Sequence, residues 1–147
     1  MSMSKNIIDE LKNQGSIPNV FQKDLIKTFD NIQLNTHIFI SFVNLFQKRT
    51  AGIYIWGEVG RGKTFLINAF LKNLPKNINF QSFHYIEFMN FIHENLTKFS
   101  GSKDPLKEIA KLFSKNNKLI CIDEFQVEDV ADAMIIGNLL NMLLSLN

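Results

Sequence analysis

The sequence predicts an α/β domain built on a mainly parallel sheet flanked by helices. Three observations carry this reading. Short apolar runs alternate with segments whose apolar residues recur at helical spacing. Residues 57–64 read Gly-Glu-Val-Gly-Arg-Gly-Lys-Thr, the pattern GxxxxGK[ST], set between an apolar run and a helical one. Farther on, Lys118-Leu119-Ile120-Cys121-Ile122-Asp123-Glu124 is an apolar run that ends in two carboxylates.

The elements follow in order. Ile7, Ile8 and Leu11 suggest a short helix that Gly15 ends. Pro18 opens a second, with Phe21, Leu25, Phe29 and Ile32 as its apolar stripe. Thr36 is placed to cap a third helix, whose last turn carries Lys48 and Arg49. These form an N-terminal helical segment, residues 1–50, ahead of a core at 51–147. The core opens with Ala51 to Trp56, read as a buried strand, then the glycine loop and a helix from Phe65 to Leu71 that Pro75 stops. Phe80 to Tyr85 has strand-like content, and Phe88, Phe91, Ile92, Leu96 and Phe99 fall at helical spacing. Gly101-Ser102 is a turn. Asp104-Pro105 starts a helix through Leu106, Ile109, Leu112 and Phe113, with proline at its first position. After the apolar run at 118–124, Val127 to Leu146 is helical in pattern. No repeat or low-complexity run interrupts the series.

Composition limits the function classes. A chain of 147 residues can bury one core, and 46% hydrophobic with 20% charged residues indicates a soluble globular protein. A net charge of +2 is too small to argue for nucleic acid. Cys121 is the single cysteine, which excludes a disulfide framework and a thiolate metal site. Inside its apolar run it reads as a structural buried thiol. Met1-Ser2-Met3-Ser4-Lys5 lacks the apolar core of a signal peptide. The apolar stretch Met134 to Leu146 is broken by Asn138 and Asn141 and is too short to span a bilayer. A cytoplasmic protein is expected. His84 and His93, set among aromatics, read as partly buried, hydrogen-bonded side chains rather than ligands. Trp56, just before the loop, reads as packing, and the scattered lysines as solvated surface.

The chemistry follows from residue type. Gly57, Gly60 and Gly62 permit backbone conformations that a side chain would forbid. The loop Gly57, Glu58, Val59, Gly60, Arg61, Gly62, Lys63 and Thr64 can then turn its N–H groups onto a phosphate as an anion nest, at the positive end of a new helix. Lys63 supplies a cation for the β and γ phosphates, and the Thr64 hydroxyl can ligate Mg²⁺. Asp123 would hold Mg²⁺ directly or through water, and Glu124 would orient and polarise the attacking water. Glu124 and Lys63 are thus the catalytic candidates, with Thr64 and Asp123 as the metal ligands. The guanine-reading Asn-Lys-x-Asp pattern is absent, which favours ATP.

Longer stretches resemble a known family. Gly52-Ile53-Tyr54-Ile55-Trp56-Gly57 through Thr64 is similar to the phosphate-loop segment of the ZapE/AFG-like ATPases, which are AAA+-related. Phe88-Met89-Asn90-Phe91-Ile92-His93-Glu94 resembles their Phe-Met-x-x-Val-His-Glu helix, and Asp104-Pro105-Leu106 their Asp-Pro-Leu helix. Cys121-Ile122-Asp123-Glu124-Phe125 and Asp129 to Met134 resemble their extended Walker B region. The resemblance covers roughly residues 19–147; Ile86 departs from it, where many members carry histidine.

The resemblance implies an AAA+-type P-loop fold, ATP binding and Mg²⁺-dependent hydrolysis, and a homo-oligomer in the full-length form. Bacterial members are cytoplasmic cell-division factors that act on the FtsZ ring, and mitochondrial ones are linked to protein quality control. Members run to more than twice this length, with a sensor strand between the two Walker strands and then an arginine finger. On that comparison the chain reads as an N-terminal portion truncated before the sensor strand. Its only arginines are Arg49 and Arg61, and none follows Asp123. This leaves a second reading: a catalytically deficient fragment that binds nucleotide or docks a partner. A third, a nucleic-acid-acting AAA protein such as a helicase loader, has only the pI of 8.7 behind it.

Overall fold

The computed structural model describes residues 2–32 and 52–146. They fall in two compact units, Met1–Asn77 and Ile78–Asn147. The helix expected from Thr36, with Lys48 and Arg49 in its last turn, lies outside the described residues, as does Ala51.

The first unit holds α1 (Met3–Asn13), α2 (Val20–Phe29) and α3 (Lys63–Lys72). The expected glycine stop is present. Gly15 has φ 74°, its N–H donates to the Lys12 carbonyl at 2.9 Å, and Ser16 N–H donates to the Leu11 carbonyl at 2.9 Å. This paired closure satisfies two carbonyls that the helix end would otherwise leave open. Asn19 opens α2 with a capping box: its side chain accepts from Gln22 N–H while Gln22 Oε1 accepts from Asn19 N–H.

The apolar face of α2 differs from the expected stripe. Ile26 and Phe29 are buried, whereas Phe21 is 85% exposed. Ile32 lies beyond the last turn, so it cannot continue a helical face. Ile26 and Phe29 share the core with Ile7, Leu11, Leu66, Ala69 and Phe70, and the Phe29 and Phe70 rings stand 4.5 Å apart. The face is therefore rotated toward Ile26, the i, i+3 neighbour of Phe29.

Residues 52–56 are not in a strand. The alternation of a strand persists, with Ile53 and Ile55 partly covered, but Tyr54 and Trp56 are 71% and 82% exposed. A strand is defined by its ladder, and among the described residues the sheet consists of two other segments. Trp56, expected to pack, faces solvent.

The second unit contains β1 (Phe80–His84), α4 (Tyr85–Lys98), α5 (Pro105–Asn116), β2 (Leu119–Asp123) and α6 (Val130–Ser145). β1 and β2 pair in parallel, with Phe80 opposite Leu119 and His84 opposite Asp123. The parallel pairing meets the sequence expectation, and the helices α4 and α5 make the crossover that such a pair requires. Tyr85 belongs to α4 rather than to the strand. Asp104 caps α5 by accepting from Lys107 N–H at 3.1 Å, and Pro105 occupies the first turn.

The core of this unit joins Phe88, Met89 and Ile92 of α4, Ile109, Ala110 and Phe113 of α5, and Ile136 and Leu139 of α6. Phe83, Ile120 and Ile122 pack on it from one face of the sheet. The Phe83 ring meets those of Phe88, Phe91 and Phe113 at 5.5, 5.9 and 6.2 Å. On the other face, Phe80, Ser82 and His84 are exposed, so this sheet is covered on one side among the described residues. β2, the apolar run ahead of the two carboxylates, is partly buried along its whole length.

Candidate functional site

The glycine loop in the first unit has the backbone its sequence calls for. Gly60 and Gly62 adopt left-handed φ of 82° and 77°, and Gly57 has φ 150°. A side chain at Gly60 or Gly62 would carry a conformational cost of about 1–2 kcal/mol. Gly62 is the N-cap of α3, and its carbonyl accepts from Leu66 N–H at 3.0 Å. No acidic residue sits in the first turn of α3, so the positive end of the helix is not neutralised locally. Thr64 lies exposed in that turn.

Lys63 closes the loop on itself. Its ammonium donates to the carbonyls of Gly57 at 2.7 Å and Glu58 at 2.9 Å. The two contacts draw the loop's start toward its end and place the cation within the turn. Arg61 pairs with Glu58 at 2.8 Å, but both side chains are largely exposed, so this pair adds little. Val59, at the tip, is 99% exposed. A cavity of about 220 Å³ adjoins α3, with Ile17, Pro18, Gln22 and Phe65 among its walls.

The acidic pair lies in the second unit. Asp123 is the last residue of β2 and partly buried; Glu124 follows it and is exposed. Glu124 is the one non-glycine residue with positive φ among the described residues, at 53°. Its N–H donates to Asp123 Oδ1 at 2.9 Å, which ties the two carboxylate residues together. Asp129 then caps α6, accepting from Ala131 N–H at 2.6 Å and Asp132 N–H at 3.2 Å. A non-glycine residue in the left-handed region, such as Glu124, is held at a conformational cost, and such residues cluster at functional sites.

Thr64 and Asp123 offer a hydroxyl and a carboxylate, both hard oxygen donors suited to Mg²⁺. Among the described residues no group of three or more His, Cys, Asp or Glu side chains forms a metal cluster. Magnesium at a nucleotide needs no such cluster, because water and phosphate supply most of its ligands.

The other candidates are also placed. His84 and His93 are exposed rather than partly buried. His84 precedes α4, and its N–H donates to Glu87 at 3.2 Å. His93 Nε2 lies 3.1 Å from Asp132 Oδ1, which joins α4 to α6. Cys121 is partly buried; burial pushes its thiol up, against a hydrogen bond with Ser82 and with a further push from Asp123. A thiol shifted that way is poorly reactive, as its place in the strand suggested.

Two features were not foreseen from sequence. Gln22 donates from Nε2 to the Arg61 carbonyl at 3.1 Å, linking α2 to the glycine loop. In the sequence Pro18 opens this helix, which announces neither the capping box of Asn19 and Gln22 nor this second contact. The left-handed backbone of Glu124 carries no signal at all, since glutamate is an unusual occupant of that region.

Comparison with known proteins gives a consistent result. The family model for AFG1-like ATPase matches residues 1–146. Cell division protein ZapE of Escherichia coli is 45% identical over 92 residues, covering 63% of this chain and 24% of that protein. An uncharacterised protein of Schizosaccharomyces pombe is 37% identical over 98 residues, covering 63% of this chain and 22% of its own length. Lactation elevated protein 1 homolog B of Danio rerio is 36% identical over 99 residues, with 60% and 20% covered. The chain thus spans about a quarter or less of the curated relatives it matches. No solved structure matches it.

Proposed function

The chain belongs to the AFG1-like ATPase family, and from that premise we propose that it binds ATP with Mg²⁺ and supports ATP hydrolysis. The loop at 57–64 carries this reading. Left-handed glycines, a lysine folded into the turn and an uncompensated helix start together form a receptor for a polyphosphate. In the proposed mechanism, the loop N–H groups hold the phosphates and Lys63 leaves its carbonyl partners to neutralise the β and γ oxygens. Thr64 and Asp123 are the residues that would ligate Mg²⁺, which would supply screening of the phosphate charge. Glu124 takes the proton of the attacking water as general base. The cavity at Ile17, Pro18 and Phe65 is proposed as cover for the nucleotide's base.

Titration with ATP tests the site. Lys63→Ala should abolish measurable binding, whereas Glu124→Gln should bind normally and lose turnover. Unchanged ATP affinity in Lys63→Ala would remove the assignment.

For biological context, likeness to a cell division protein suggests a role in division, with the FtsZ ring as the partner to test. Among the described residues no helix is long and apolar enough to cross a membrane, in keeping with a proposed cytoplasmic location. A homo-oligomer is proposed for the full-length form. Co-sedimentation with FtsZ polymers and light scattering with and without ATP would test these points.

A further inference from the structure

Gln22 makes more hydrogen bonds than its place in a capping box requires. The box needs an oxygen at this position, to accept from Asn19 N–H, and Oε1 supplies it at 3.0 Å. Glutamate would serve that purpose as well as glutamine. The other end of the side chain is an amide, and Nε2 donates to the Arg61 carbonyl at 3.1 Å. Only one orientation of the amide satisfies both partners: reversed, it would set an oxygen against the Arg61 carbonyl and a donor against Asn19 N–H. The side chain also rests on the loop backbone, since a Cβ at Gly62 would lie 3.3 Å from Gln22 Nε2.

We propose that Gln22 is a positioning residue for the phosphate loop, holding the Arg61–Gly62 peptide in its binding-competent orientation from the start of α2. The argument is geometric. A trans peptide is planar, with its C=O and N–H pointing in opposite directions. With the Arg61 carbonyl held toward α2, the Gly62 N–H is turned away from α2. Gly62 has no side chain to restrain its own peptide, and at φ 77° it has many alternatives. Lys63 restrains the loop at Gly57 and Glu58, and Gln22 restrains it at Arg61, near the opposite end. Asn19 holds Gln22 in turn through the reciprocal bond, so the α2 N-terminus and the loop form one hydrogen-bonded unit.

The inference rests on the nucleotide-binding reading, and its test separates the two. Gln22→Glu keeps the acceptor for Asn19 N–H and removes the donor to Arg61. Gln22→Met removes both without adding charge. In hydrogen exchange of the nucleotide-free protein, Gln22→Glu should speed exchange of the amides at 57–64 several-fold and leave those of α2 unchanged. In ATP titrations, both variants should raise Kd by about three- to tenfold, the range one hydrogen bond supplies. Melting of Gln22→Glu should match wild type.

Loop exchange in Gln22→Glu equal to wild type would overturn the proposal, whatever the chain binds. Weaker ATP binding in Gln22→Glu but not in Gln22→Met would also overturn it, because the cause would then be charge repulsion. Faster loop exchange in Gln22→Glu, together with no ATP binding by the wild-type protein, would uphold the tether and defeat the nucleotide reading instead.

Discussion

Glu124→Gly should make the protein more stable, an unusual outcome for replacing a residue with glycine. Glu124 holds φ at 53°, where a Cβ crowds the following carbonyl at a cost of about 1–2 kcal/mol. Glycine removes that cost but widens the unfolded ensemble, which offsets about 0.4–1 kcal/mol. The hydrogen bond to Asp123 Oδ1 comes from the Glu124 backbone, so it survives the substitution. Glu124 is exposed, so no packing is lost. The net gain is about 0.5–1 kcal/mol, or roughly 2 °C in melting temperature for a chain of this size. Glu124→Asn should gain a smaller amount, since asparagine tolerates the left-handed region, and Glu124→Val should lose stability. Thermal and urea denaturation of wild type and of the Gly, Asn, Val and Gln variants checks the order. Glu124→Gly melting at or below Glu124→Gln would refute the claim that this backbone is strained. If the strain serves catalysis, Glu124→Gly is the stable, inactive member of the set.

Other substitutions probe the supports of each unit. Asp104→Ala removes the cap of α5 and should cost about 1 kcal/mol in denaturant melts. Ile109→Ala, in the centre of the second core with no exposed surface, should cost about 2–5 kcal/mol and bring the second unit near unfolding. The pH response of the first unit should depend on Glu10. Hydrogen bonds from Lys72, then from Asn73, hold its carboxyl below the ordinary value, against some burial. A lowered folded value means the stabilisation is present above the ordinary carboxylate pKa and is lost as pH falls through the folded one. Glu10→Gln should therefore melt below wild type at neutral pH, by less than about 1 kcal/mol because Lys72 is largely exposed, and the gap should close as pH falls through the lowered folded value. A gap that persists in acid would assign the effect to packing.

The sequence was most legible where a local rule had a single outcome. Asp104-Pro105 could only open a helix, Gly15 could only close one, and residues 118–124 formed β2 nearly as bounded. The glycine pattern at 57–64 specified left-handed turns at Gly60 and Gly62, because only glycine adopts them freely. Legibility failed where the outcome depended on a neighbour. Residues 52–56 have strand composition, but a strand exists only with a partner to pair with. The stripe on α2 contained the right residue, Phe29, but the face was chosen by where α1 and α3 meet it, at Ile26. Gln22 was not singled out, and its contact with the Arg61 carbonyl depends on a loop far along the chain. Glu124 is a case in which the local preference is overridden outright, and it falls at the residue with the catalytic assignment.

The parallel register of β1 and β2 has a consequence for how the second unit is made. Every rung of that ladder joins residues separated by two whole helices. Such contacts are formed against the entropy of closing a long loop, while α4 and α5 can form from near neighbours alone. Folding of this unit should then run from helices to sheet, with the ladder among its late steps. Asp123 closes the last rung opposite His84. The carboxylate proposed as a metal ligand should therefore acquire its surroundings among the last steps in the folding of the second unit.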